Sequence, residues 1–401
     1  MDLSLNDEQQ MLADSVRDLF SSTDGDPTAG GEAPEVALEF RRDLWTQAAE
    51  MGLTALPVGE DYDGVGAGIA EVWATTNTLG TLGAPEPPTD AAYVPSWIIS
   101  DLGTEDQKKE WLAGISAGEA VVPFAHAETG TGWEAARTAT VTGGALTGAK
   151  RAVVLADNAD AFLVTAVADG TPGVFLVAAD ADGVSVEIHR DAEWVRTGTV
   201  TFDGAAAERL GDAGAETVDA SLRRAVALGR IAQGGRAVGL METALKTTVE
   251  YLKVRKQFGV TLNRFQVLVH RAAQMYSDVE LARSTSLWAT AVAEAFPGTV
   301  DTLSTEDLDT LTRTALDSHN FLLGQARTIA EEAVQLHGGI GVTYEAAISH
   351  YAAALTGFRQ IYGGELGARS EGIASSSPEN APSARSSPGK WCTSLPLKQC
   401  A

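Results

Sequence analysis

Cysteine is almost missing from this chain: of 401 residues only Cys392 and Cys400 are cysteines, and both lie in the last ten positions. The body of the protein therefore holds neither a disulfide framework nor a thiolate metal cluster, which fits a reducing cytoplasm. Long apolar runs are also missing, since none approaches the roughly 18 residues of a membrane span. The opening MDLSLNDEQQMLADSVRDLF has neither a basic n-region nor an apolar h-region, so the sequence predicts a soluble, unexported, cytoplasmic protein. Basic residues are few, 29 Lys and Arg against 54 Asp and Glu, a formal charge of -25. That balance argues against a nucleic-acid partner, because phosphate backbones are held by clustered cations. An anionic small ligand would depend on a few local cations and helix N-termini.

What is present reads as helical, then β, then helical. Up to about Gly118, Leu12, Val16 and Leu19 share a face, and Thr104 with Gln107 three residues on forms a capping-box pattern. From about Val121, short runs such as DAFLVTAV and GVFLVAA alternate with Gly, Asp and Asn turn signals. After about Thr217, helical stripes return at Val238, Met241, Leu245, Val249 and Leu252, and again at Leu268, Ala272, Met275, Val279 and Ala282. The expected fold class is α+β multidomain: an N-terminal α-helical domain at 1–118, a middle β-barrel-like domain at 119–217 and a C-terminal α-helical bundle at 218–374. Residues 375–401, rich in Ser and Pro and without periodicity, are expected to be a disordered tail.

Three glycine-bearing stretches invite ligand chemistry. In YLKVRKQFGVTLNRFQ, Arg255 stands beside the Phe258-Gly259 break, where a cation could meet a phosphate or simply complement a helix C-terminus. In QLHGGIGVTYE, Gly338, Gly339 and Gly341 offer backbone N–H groups suited to a pyrophosphate, or else form an interhelical turn. His337 has no second ligand at metal-binding spacing and is expected to pack or cap, so no metal is expected. In AHAETGTGW, Ala125 to Trp133, small residues would let backbone approach a flat ligand.

In that order and separation the stretches resemble the acyl-CoA dehydrogenase superfamily, over residues 1 to about 374. The resemblance implies an FAD-dependent acyl-CoA dehydrogenase-type oxidoreductase of fatty acid or lipid metabolism, with an electron-transfer flavoprotein as acceptor and a homo- or hetero-oligomeric assembly. It places Arg255, Phe258, Gln335, Gly338 and Gly339 at the pyrophosphate and adenosine end of FAD, across a subunit interface. Ala127, Glu128, Thr129 and Gly130 fall on the family's Thr-Glu-Pro stretch, with Ala127 and Thr129 as flavin contacts, but the Pro and the following Ser-Asp are missing. Ala152 stands where many relatives carry a Trp.

The family's reaction removes an α-proton with a carboxylate while the β-hydride passes to flavin, giving α,β-desaturation of an acyl thioester. The two positions at which the family carries that carboxylate fall here on Gly363 and Gly229, neither of which takes a proton. Glu365, two residues beyond Gly363, is one candidate base, and Glu128 is another. The alternatives are a base-less subunit that completes the cofactor or acyl site of a heteromeric acyl-CoA dehydrogenase, and a flavin-dependent oxygenase on the same fold.

Overall fold

The computed structural model describes residues 5–21, 39–129, 133, 137–193, 195–364, 367 and 371. Glu365, Gly130 and the Ser/Pro-rich tail lie outside the described residues. The helical first part consists of α1 (Asp7–Ser21), α2 (Arg42–Glu50), α3 (Ile69–Leu82), α4 (Val94–Leu102) and α5 (Glu105–Ser116). The expected capping box opens α5: Thr104 Oγ accepts from the Gln107 N–H, and the Gln107 side chain accepts from the Thr104 N–H. A π-helical turn, Thr89–Tyr93, leads straight into α4 and carries Asp90. Such turns widen the helix locally and recur at functional sites.

Eight strands follow, β1 (Phe124–Ala125), β2 (Thr140–Thr142), β3 (Ala145–Val154), β4 (Ala161–Ala168), β5 (Thr171–Ala178), β6 (Val184–Arg190), β7 (Arg196–Ala206) and β8 (Glu208–Arg209). They form one sheet in the order β6-β7-β3-β2-β4-β5-β8, with β1 also paired to β4. The barrel-like expectation is corrected here, because the sheet is open and its end strands β6 and β8 do not pair with each other. The reason lies in which side each residue faces. Phe162, Val164, Phe175 and Val177 belong to the sheet's own core. Alternate residues Leu163, Val174 and Leu176 instead join the core of the helices. A sheet whose second face is covered by helices has no need to close on itself.

The C-terminal part consists of α6 (Ala215–Val254), the two-stranded hairpin β9 (Lys256–Gln257) and β10 (Val260–Thr261), α7 (Gln266–Ala293), α8 (Thr305–His337) and α9 (Ile348–Phe358). Of the predicted stripes, Val238, Met241, Leu252, Met275, Val279 and Ala282 are buried, whereas Leu245, Val249, Leu268 and Ala272 are half-buried. Helix α6 touches α3 along a seam of glycines. A Cβ on Gly80 would overlap the Arg236 carbonyl, one on Gly239 would overlap the Asn77 carbonyl, and one on Gly235 would lie 2.7 Å from Thr76 Oγ1. Lacking side chains, the two backbones approach closely, and Trp73 reaches past them to donate to Ser286 Oγ at 2.8 Å.

Gly239→Ala should therefore destabilise the fold by about 3 kcal/mol in urea unfolding, since neither backbone can yield without separating the helices. Gly324→Ala, on α8 with nothing within 4 Å of its would-be Cβ, should instead be neutral or stabilise by about 0.5–1 kcal/mol. Equal costs at the two sites would refute the seam.

Candidate functional site

The site residues separate into two groups along α6. At its C-terminal end the helix stops at Val254, and Arg255 opens a tight hairpin in which Val260 pairs with Gln257 and Thr261 with Lys256. Phe258 and Gly259 form its two-residue turn, with φ of 53° and 81°, the signature of a type I′ turn. The expected helix stop is thus a hairpin that begins after the helix has ended. Phe258 sits in the left-handed region, which costs about 1 kcal/mol or more for a non-glycine residue, and it remains 91% exposed. Arg255 is exposed beside it.

The end of α8 comes to the same place. His337 stacks on Tyr251 of α6, with ring centroids 4.5 Å apart, and its Nδ1 donates to the Ala333 carbonyl at 2.8 Å. Burial lowers its pKa, against the pull of the Ala333 carbonyl. It packs as expected, and no cluster of His, Cys, Asp or Glu suited to a metal occurs among the described residues. Gly338 follows with φ of 66°, and both Gly338 and Gly339 are exposed with open space where a Cβ would stand. Gln335 is exposed one turn earlier, whereas Gly341 is buried against Val334. Arg255, Phe258, Gln335, Gly338 and Gly339 are thus all exposed on two stretches that the Tyr251–His337 stack holds together, and a guanidinium and unobstructed backbone N–H groups are each suited to a pyrophosphate.

The second group lies at the middle of α6. Gly229 precedes Val254 by 25 residues, about 38 Å of helix at about 1.5 Å per residue. Tyr362, immediately before Gly363, lies against Gly229, and a Cβ there would collide with Tyr362 Oη and lie 3.0 Å from Tyr362 Cζ and Val94 Cγ2. A Cβ on Gly363 would stand 2.8 Å from Trp133 Cβ. The structure thus brings both expected base positions together around one tyrosine. That tyrosine donates its hydroxyl to Asp90 Oδ1 at 2.8 Å, while Gln233 Nε2 donates to Asp90 Oδ2 at 2.9 Å. Burial raises the Asp90 pKa despite both hydrogen bonds, and burial with the Asp90 charge pushes the Tyr362 hydroxyl well above its ordinary range. His319 is held neutral, at about 3, by burial and the charge of Arg230. Arg230 itself, 3% exposed, makes a two-pronged ion pair with Glu371, at 3.0 and 2.6 Å. None of Trp133, Tyr362, Asp90, Arg230 and His319 was singled out from the sequence. The available signals were a lone carboxylate in the apolar run TDAAYVPSWII and a tyrosine ahead of the glycine pair.

Ala127 and Thr129 lie on the connection after β1, half-buried and exposed respectively. Between them, Glu128 is fully committed. It accepts from Lys150 Nζ at 2.6 Å, from the Thr138 N–H and hydroxyl at 2.7 Å each, and from the Ala139 N–H at 3.1 Å. Burial alone would raise its pKa, but Lys150 and the N–H and O–H donors win and hold it at about 2. Lys150 is pushed down to about 8 by burial, against the pull of Glu128. A carboxylate this stabilised in its ionised form is a poor proton acceptor, so Glu128 is removed from the candidate bases. Glu365 lies outside the described residues.

Comparison with known proteins decides the family. The acyl-CoA dehydrogenase N-terminal domain matches residues 6–119, and the C-terminal domain of the same family matches residues 220–375. This chain belongs to the acyl-CoA dehydrogenase family. The acyl-CoA dehydrogenase FadE28 of Mycobacterium tuberculosis is 29% identical over 350 residues, 85% of this chain and 95% of that protein. The solved "Tcur3481-Tcur3483 steroid ACAD" is 27% identical, with a TM-score of 0.78 over 92% of this chain and 98% of that one. An acyl-CoA dehydrogenase of Bacillus anthracis complexed with FAD superposes with a TM-score of 0.81 over 93% of this chain and 68% of that one, at 23% identity. Membership makes the protein an oxidoreductase by descent and FAD its family's cofactor. The guanidinium of Arg255 and the open backbone at Gly338 and Gly339 are chemically suited to an anionic group, and Ala127 and Thr129 are half-buried and exposed, respectively.

Folding stability should carry the mark of Glu128. Its folded pKa lies below the ordinary 4.5, so its contribution is fully present above that value and disappears as pH falls toward about 2. Wild type should lose stability between neutral pH and about pH 3 more steeply than Glu128→Gln. At neutral pH the same variant should be about 3 kcal/mol less stable, because Lys150 is left buried and unpaired. Parallel pH curves would contradict this account.

Proposed function

We propose that this chain is the base-less subunit of a heteromeric, FAD-dependent acyl-CoA dehydrogenase that performs α,β-desaturation of an acyl thioester. The observation that carries the reading is the convergence of Gly229 and Gly363, the two expected base positions, on Tyr362 and Trp133. With no carboxylate side chain at either position, α-proton removal falls to a carboxylate of a partner subunit. When bound, FAD supplies the hydride acceptor, and an electron-transfer flavoprotein takes the electrons onward.

The role of this chain is to hold the cofactor's anionic end. Arg255, Gln335, Gly338 and Gly339 are exposed, and the end of α6 lies about 38 Å of helix from Gly229, which supports reading the cluster as a grip on a cofactor whose ring sits elsewhere. On this reading the flavin ring lies in another chain. The surrounding surface suits such a contact. Val254, Phe258, Val267, Val269 and Val342, on the hairpin, the start of α7 and the turn after α8, are exposed apolar residues. A groove of about 320 Å³ between α6 and α7, lined by Leu245, Val249, Leu252, Ala272 and Tyr276, continues it. The two-component description of the "Tcur3481-Tcur3483 steroid ACAD" agrees with this reading.

Purified alone, the chain should be pale, or hold flavin that does not bleach when titrated anaerobically with acyl-CoA thioesters. In a complex with a base-bearing partner, Arg255→Ala should lower FAD affinity at least about tenfold through loss of a charged hydrogen bond. In the same complex Glu365→Gln should leave turnover unchanged. A yellow chain bleached by substrate on its own, with bleaching abolished in Glu365→Gln, would replace this reading with a stand-alone dehydrogenase.

A further inference from the structure

Six rings run in one column from the sheet into the helical bundle, through the point where the two base positions meet. Phe124 stacks on His126 at 5.3 Å, His126 meets Trp133 at 4.5 Å, and Trp133 meets Tyr362 edge-on at 5.4 Å. Tyr362 then meets His319 at 6.2 Å, and His319 meets Phe358 at 5.4 Å. The column is anchored on both sides. His126 bonds through Nδ1 to Thr165 Oγ1 at 3.1 Å and through Nε2 to the Trp133 carbonyl at 3.2 Å. Tyr362 is held by Asp90, which is itself fixed by Gln233 of α6 and carried on the π-helical turn.

The backbone beneath Tyr362 is strained. Tyr362, Gly363 and Gly364 have φ of 48°, 89° and 63°, three successive residues in the left-handed region. Glycine adopts that conformation freely, but tyrosine does not, so surrounding contacts must hold it there. The bend directs the tyrosine ring against α6 at Gly229, where it is only 3% exposed. A thioester whose α-carbon approached either base position would need the volume that Tyr362 and Trp133 fill, because proton transfer requires contact distance between donor and acceptor.

We propose that Tyr362, anchored by Asp90 and backed by Trp133, is a side-chain plug that closes this chain's own acyl-reacting pocket and excludes acyl thioesters from it. This deepens the subunit reading and rests on it: the chain then lacks both the base and the space for a substrate at its own site. The plug also explains why position 229 is glycine, since any side chain there strikes the tyrosine hydroxyl.

The test combines steric coupling with ligand binding in the full-length chain. In wild type, Gly229→Ala should lower the melting temperature by about 5 °C or more, and in a Tyr362→Ala background by less than about 2 °C. In calorimetric titration with the redox-inert thioether analogue of butyryl-CoA, Tyr362→Ala should bind at least about tenfold more tightly than wild type. If Tyr362→Ala does not fold, Tyr362→Leu carries both measurements. The proposal is overturned if Gly229→Ala costs the same in both backgrounds, or if wild type binds the thioether as tightly as the Tyr362 variant, including the case in which neither binds. Flavin reduction by the chain alone would refute the subunit reading, whereas tight thioether binding by wild type without reduction would refute only the plug.

Discussion

The 40-residue helix α6 sets every distance that matters in this protein. Because each turn is tied to the next by backbone hydrogen bonds, a helix of this length is a rod of about 60 Å. It carries the middle site at Gly229 and Gln233, then the α3 seam at Gly235 and Gly239, and ends at the Arg255 hairpin. Helices α3, α7, α8 and α9 and strand β5 all pack on it. Gly229 and the Arg255 hairpin are thereby held about 38 Å apart along one rigid helix.

At the middle of that rod, aromatic rings stand where a carboxylate is expected. The exchange changes the physics of the site as well as its chemistry. A carboxylate in a buried pocket needs compensation for its charge, and it becomes a useful base only if burial raises its pKa toward working pH. Here burial acts on Asp90 instead, and its acceptor oxygens are taken up by the Tyr362 hydroxyl and the Gln233 amide. Asp90 serves as an anchor, and the ring it anchors contributes packing to the junction between the sheet and the helices.

A second buried charge, the Lys150–Glu128 pair, holds the sheet's side of this junction. Isolated in an apolar core either ion would be costly, and together they are tolerable because Thr138 and Ala139 supply the remaining hydrogen bonds. Lys150 also donates to the His126 carbonyl at 3.2 Å, which ties the ion pair to the aromatic column. Glu128 thus has a structural duty in this chain that does not depend on a ligand.

Much of the architecture is legible in the sequence, because it depends on local rules. Helical period marked the stripes at Val238–Leu252 and Leu268–Ala282, the Thr104–Gln107 pattern specified its capping box, and Gly and Asp punctuation marked the strands. The family followed from short motifs in their order and separation along the chain. Sheet closure was not legible, because both faces of β4 and β5 read as apolar whether their partner is another strand or a helix. Nor was the role of Glu128, which depends on Lys150 across the sheet, or that of Tyr362, which depends on Asp90, 272 positions away in the chain. Sequence determined which elements form and that a catalytic carboxylate is missing from Gly229 and Gly363. Only the tertiary structure decided what fills the space, because burial, hydrogen-bond partnership and steric exclusion are properties of residues brought together from distant parts of the chain.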